Sequence, residues 1–211
     1  MKTRLIEVTA ASVDAINEAA QIIKNGELVA FPTETVYGLG ADGFNEAACR
    51  RLYEVKGRPN DKPLSLMVAN REMIDDIAEV SPIAEELIKA FLPGPLTLIL
   101  NKKSAVPNFV TAGSQTVGIR MPDNQIALAL IKAADCPIAA PSANPSEAPA
   151  PTTAQAVLKY FDSKIPLILD GGACDIGFSS TIVDLTADTP AILRCGVINK
   201  SDIFKVVDYA N

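Results

Sequence analysis

The chain's chemistry-bearing residues begin with a loop, Lys56-Gly57-Arg58-Pro59-Asn60-Asp61-Lys62-Pro63. A residue before proline is driven toward extended backbone. If residues 56–58 are extended, Lys56 and Arg58 point to the same side. Two like charges on one side repel unless an anion joins them. Arginine offers a two-pronged fork for phosphate or carboxylate, and lysine a point charge. Taken alone the loop reads as a solvated basic turn, with an anion site as the alternative its chemistry supports. Four other segments run from an apolar stretch straight into polar or cationic residues. Phe31 leads into Pro32-Thr33-Glu34-Thr35, and Val117-Gly118-Ile119 ends in Arg120. Ile138-Ala139-Ala140 leads into Pro141-Ser142-Ala143-Asn144, and Ala191-Ile192-Leu193 ends in Arg194. Singly, each is an ion pair or a turn. Ligands of open α/β sheets bind beyond the carboxyl ends of strands, so the recurrence predicts one shared pocket.

The absent residue types narrow the chemistry. The chain has no His, which removes His-containing triads, His general bases and His-ligated metals. Cys49, Cys136, Cys174 and Cys195 are widely spaced and form no CxxC, so neither a zinc ribbon nor a thioredoxin-type pair is expected. Such cysteines read as small core residues. The run Gly172-Ala173-Cys174-Asp175-Ile176-Gly177-Phe178-Ser179 has the spacing of a P-loop, but Phe178 replaces the required lysine. A β-rich segment follows where a helix should begin. What remains is anion handling by Arg, Lys, hydroxyls and backbone amides, with no nucleophile–base pair. Transfer at a nucleotide phosphate suits that inventory, because positioning and charge neutralisation supply most of the catalysis.

The positioning elements alternate along the 211 residues. Ser12 can cap a helix with Val13, Ile16, Ala19, Ala20 and Ile23 on one face, ended by Asn25-Gly26. Asn45 can cap a second, and Ser81-Pro82 opens a third that runs to Phe91. Further helices are expected at 125–134, 153–161 and 201–207. Strands are expected at 27–31, 64–69, 96–100, 117–120, 138–140, 167–169, 181–185 and 191–194. This alternation argues for an α/β sheet covered by helices. No linker splits the chain, so one domain over 1–211 is expected. The composition is 48% hydrophobic and 21% charged, which excludes a disordered chain. A net charge of −6 opposes nucleic-acid binding driven by charge. With no signal peptide and no apolar run of spanning length, a soluble cytoplasmic protein without membrane association is expected.

Seven segments carry a resemblance: PTETVYGLG at 32–40, KGRPNDKPLS at 56–65, PGPLTLIL at 93–100, VGIRMPDN at 117–124, PSANPS at 141–146, SSTIVDL at 179–185 and ILRCG at 192–196. In content and order, over about residues 5–200, the chain resembles the YrdC-type threonylcarbamoyl-AMP synthases. The resemblance implies a twisted mixed α/β sheet with flanking helices around a large cavity. It implies that L-threonine, bicarbonate and ATP give threonylcarbamoyl-AMP and pyrophosphate, for use by other proteins in tRNA modification. It places Thr35, Arg120, Ser142 and Ser180 at threonine or its carbamate. It places Arg58, Lys62, Thr116, Asn144, Thr152 and Arg194 at ATP, and Lys56 and Arg58 at the reacting charge. Magnesium is expected with ATP, held mainly by phosphates and water, with no protein ligand assigned. Weak or no direct tRNA binding is expected, with tRNA threonylcarbamoyl transferase proteins as downstream partners. Lys62 stands where many relatives carry Asn, and Met67 where many carry His. Longer relatives continue into a C-terminal second domain, which is not expected here. Two alternatives stay open: an RNA- or nucleotide-binding paralogue without synthase activity, and an enzyme that adenylates another carbamoyl substrate.

Overall fold

Side-chain caps start most of the helices. In the computed structural model, which describes residues 2–187 and 189–209 (the last two by backbone alone), Asn45 accepts from the Ala48 amide and opens α2 (Glu46–Lys56). Asn70 likewise opens α3 (Arg71–Ile77), and Ser81 with Pro82 in the first turn opens α4 (Pro82–Phe91). Asn124 opens α5 (Gln125–Ala134), and Thr153 opens α6 (Ala154–Phe161). Each such bond satisfies an amide that the helix itself leaves unpaired. Ser12 departs from expectation. It precedes α1 (Val13–Lys24), but its hydroxyl accepts from the Thr9 amide instead of a helix amide. The last described helix is α7 (Lys200–Tyr209).

Ten strands form one mixed sheet among the described residues: β1 (Arg4–Glu7), β2 (Val29–Phe31), β3 (Gly38–Asp42), β4 (Ser65–Met67), β5 (Leu96–Asn101), β6 (Thr116–Arg120), β7 (Ile138–Ala139), β8 (Leu167–Asp170), β9 (Thr181–Asp184) and β10 (Ala191–Arg194). Their order is β1-β8-β2-β3-β7-β4-β6-β5-β9-β10. Four neighbouring pairs are parallel (β1/β8, β2/β8, β4/β6, β5/β9) and the other five antiparallel. Strand periodicity splits the core over the two faces. Val29, Phe31, Leu167 and Leu169 join Ile16, Ile23, Leu130 and Ile131 of α1 and α5. Ala30 and Ile168, between them, face the other cluster with Leu52, Ile74, Leu87 and Phe161. The expected α/β architecture is present, with β1, β3 and α3 as elements the sequence pattern does not reveal.

The expectation of an extended 56–58 segment is overturned. Lys56 is the last residue of α2, and Gly57 is left-handed at φ 59°, ψ 36°. The Gly57 amide donates to Glu54 O (3.1 Å) and the Arg58 amide to Tyr53 O (2.9 Å), the paired bonds of a Schellman turn. Glycine meets the positive φ at little cost, and the turn sends Lys56 and Arg58 to different surroundings.

Candidate functional site

A cavity of about 440 Å³ opens among the ends of β2, β4, β6, β7 and β10 and the loop after α2. That volume lies within the range of small-molecule sites. Seven of the eleven residues singled out from the sequence line it: Thr35, Arg58, Lys62, Arg120, Ser142, Ser180 and Arg194. Met67 also lines it. Its lining includes four cations, many hydroxyls and no acidic side chain. Such a wall recruits anions.

Arg120 ends β6 and is buried. Its Nη2 donates to Glu34 Oε1 at 2.7 Å and to Thr35 Oγ1 at 2.8 Å, while its buried Nε has no partner. Thr35 is tied in turn to Thr33 across 2.9 Å. Loop 171–179 clamps this segment, with the Ile176 amide on Glu34 O and the Gly177 amide on Thr35 O. On another wall, Ser180 Oγ pairs with Thr97 Oγ1 at 2.8 Å and accepts from Arg194 Nη2 at 3.0 Å. Arg194 also holds Ser180 O through Nε and Nη2. Burial, reinforced by Arg120, lowers the pKa of Arg194. Arg58 stands on a closed loop: its Nη2 donates to Pro63 O at 3.0 Å, and Tyr53 donates to Lys62 O at 2.7 Å.

Lys56, Thr116, Asn144 and Thr152 do not line the cavity. The Lys56 ammonium is buried behind the wall and donates to Ser142 O (2.5 Å) and to Asn144 O. Burial, with a smaller contribution from Arg58, lowers its pKa to about 8. Asn144 donates through Nδ2 to Pro145 O and Ala148 O, and its buried Oδ1 is unpartnered. Lys56 and Asn144 thus shape the loop that presents Ser142. Thr116 bonds Ser114 at 2.8 Å, and Thr152 contributes its carbonyl to the Cys174 amide. Thr97 and Glu34 were not singled out from the sequence. For Thr97 the only signal was a hydroxyl inside the apolar strand Leu96–Asn101, where a buried polar group needs a partner.

Ile176, Phe178, Ser179, Arg194, Cys195, Gly196 and Val197 line a second hollow of about 610 Å³, which shares Ser179 and Arg194 with the first. Phe178 is 74% exposed there. Among the described residues no cluster of three His, Cys, Asp or Glu side chains could hold a metal, and no helix is long and apolar enough to cross a membrane.

The family model Sua5_yciO_yrdC, described as "Telomere recombination", matches residues 21–196. The threonylcarbamoyl-AMP synthase of Pyrococcus abyssi is 50% identical over 193 residues, which cover 91% of this chain and 57% of the relative. That of Bacillus subtilis is 48% identical over 194 residues, covering 91% and 56%. The chain thus spans little more than half the length of these two relatives. In structure it resembles P. abyssi Sua5 complexed with L-threonine, with a TM-score of 0.95 at 48% identity over 97% of this chain and 61% of that one.

Proposed function

The chain belongs to the Sua5/YciO/YrdC family, and we propose that it makes threonylcarbamoyl-AMP and pyrophosphate from L-threonine, bicarbonate and MgATP. The observation that carries this reading is the convergence of Arg58, Lys62, Arg120 and Arg194 with Thr35, Ser142 and Ser180 on one cavity. The substrates are all anionic or zwitterionic, and the cavity lining is cationic and hydroxylic. Arg120, whose Nη1 is neither bonded nor buried, is suited to the threonine carboxylate, with Thr35 beside it. Arg58, Lys62 and Arg194 are suited to the triphosphate, and the hollow at Phe178 to the purine. Lys56 and Asn144 act through the Ser142 loop.

The reaction asks no nucleophile of the protein. The unprotonated threonine amine attacks the carbon of bicarbonate and a C–O bond breaks as water leaves, giving a carbamate; a carbamate oxygen then attacks the α-phosphorus as the bond to pyrophosphate breaks and pyrophosphate leaves. The arginines neutralise charge on the phosphates and hold the reactants in line. Magnesium supplies charge neutralisation on the phosphates it arrives with. The product would pass to a tRNA threonylcarbamoyl transferase in the cytoplasm, and the chain's acidity favours weak tRNA contact of its own.

The test is mass spectrometry of the product formed from threonine, labelled bicarbonate and ATP. The expected product carries the label and AMP, and forms only when all three substrates and a divalent metal are present. Pyrophosphate release that persists without bicarbonate refutes the carbamate route. Nucleotide binding without turnover favours a binding paralogue, and turnover with carbamoyl phosphate but not threonine favours another adenylating enzyme.

A further inference from the structure

The buried carboxylate of Glu34 has no place in the reaction above. It sits among the cavity's hydroxyls without lining the cavity, about nine-tenths buried, with Oε1 on Arg120 Nη2 at 2.7 Å and Oε2 unpartnered. A buried ion pair of this kind is poor evidence for stability, because desolvation offsets much of its attraction. Its geometry, however, has a consequence. A guanidinium is planar and rigid. Both bonds on Nη2, to Glu34 and Thr35, come from the segment after β2 and set the plane from one side. Nε is buried, which leaves Nη1 as the nitrogen that carries none of these bonds and is not buried, in a residue that lines the cavity. The Glu34 backbone is itself pinned by the Ile176 amide at 3.0 Å, so the carboxylate is a fixed post.

We infer that Glu34 is a positioning residue for amino-acid recognition: its bond to Nη2 of Arg120 orients the guanidinium so that Nη1 meets the substrate carboxylate. The inference rests on the reading of Arg120 as the carboxylate contact. Thr35 alone supplies one neutral acceptor, which leaves the guanidinium free to swing and its charge without a partner. The effect is confined to the amino-acid end of the cavity, because Arg58 is held by Pro63 O and Arg194 by Ser180, through bonds that do not involve Glu34.

The test compares wild type, Glu34→Ala and Glu34→Gln by calorimetric titration with threonine, by KM for threonine and for ATP, and by thermal melting. Loss of a bond to a charged group predicts threonine affinity at least roughly tenfold weaker in Glu34→Ala, with the KM for ATP nearly unchanged. Glu34→Gln keeps an oxygen for Nη2 and is nearly isosteric, so it recovers part of the loss and carries the test should the alanine variant fail to fold. Threonine affinity equal to or tighter than wild type in either variant overturns the inference, since Glu34 would then be idle or a competitor for Arg120. Equal loss of threonine and ATP binding overturns it too, as does a Glu34→Gln chain that does not fold, because the pair is then architectural. A wild-type chain that binds no threonine sinks the synthase reading itself, an outcome distinct from the variant results.

Discussion

Gly196 offers a sharp perturbation, because nothing polar or charged is changed. A Cβ built there lies 2.3 Å from Ser179 O, 2.4 Å from Ser180 C and 2.5 Å from Thr181 N. Carbon contacts are comfortable near 3.5 Å, so Gly196→Ala must displace the entry to β9 by about 1 Å. All three obstacles are backbone atoms, and none can swing aside as a side chain would. The displaced segment carries Ser180, whose hydroxyl bonds Thr97 and Arg194, and whose carbonyl takes two further bonds from Arg194. One methyl group therefore moves a hydroxyl and an arginine of the cavity together. A misplacement of about 1 Å costs on the order of 10²-fold in rate, about 3 kcal/mol in barrier. Overpacking costs about 1–3 kcal/mol of stability, at roughly 2–4 °C per kcal/mol for a chain of this size. The assay is steady-state pyrophosphate release beside thermal melting. Gly113→Ala is the control: its φ of +83° strains any side chain, but a Cβ there meets nothing within 4 Å and the residue lies off the cavity lining. It is expected to lose about 1–3 kcal/mol of stability while turnover stays near wild type. Wild-type turnover in Gly196→Ala, or an equal loss of turnover in Gly113→Ala, refutes the coupling of that backbone contact to the site.

Two further outcomes follow from the cations. Arg58→Ala is expected to lower turnover roughly 10²–10³-fold with little change in melting temperature, and Arg58→Lys to recover part of it, since charge returns without the fork; near-normal pyrophosphate release from Arg58→Ala would make the loop a solvated turn. Lys56 has a folded pKa near 8, below the lysine value of 10.5. Below pH 8 it is charged in both states and the cost of burying that charge is fully present. Between about pH 8 and 10.5 the unfolded chain binds more protons, so stability contributed by Lys56 rises with pH, by at most about 3 kcal/mol. Its two carbonyl bonds favour the ammonium and oppose the rise. Urea unfolding across that range, for wild type against Lys56→Met, checks it: a stability gap that is flat or falls with pH is the refuting result.

Most of the architecture was legible because burial and periodicity coincide. The helix over 125–134 lies where expected, and so does the helix from Pro82 to Phe91. The missed elements lack that coincidence. β1 is a half-exposed edge strand of four residues. β3 reads Gly-Leu-Gly-Ala-Asp, composed mostly of residues depleted in strands, and extends only because β2 and β7 pair with it. α3 is seven residues long, too short for a helical period to stand out.

The site was legible to a different depth. A single cation after an apolar strand reads as a surface ion pair, and only the recurrence of such strand ends, with the basic loop, pointed to one pocket for Arg58, Arg120 and Arg194. They do not say which neighbour each cation will meet. The Arg120–Glu34 pair spans 86 positions of sequence, and Glu34 taken alone reads as an exposed carboxylate in a turn. Lys56 was misdirected by a local rule: Pro59 constrains Arg58, but Gly57 between them ends the helix and reverses the chain. The same turn explains the division of labour. Had the segment been extended, Lys56 and Arg58 would have competed for one anion. With Gly57 left-handed, Lys56 is withdrawn to hold the carbonyls of Ser142 and Asn144, and Arg58 alone faces the cavity. A cation that holds backbone and a cation that faces an open cavity require opposite environments, one dry and one wet, and a helix terminus separates them within three residues.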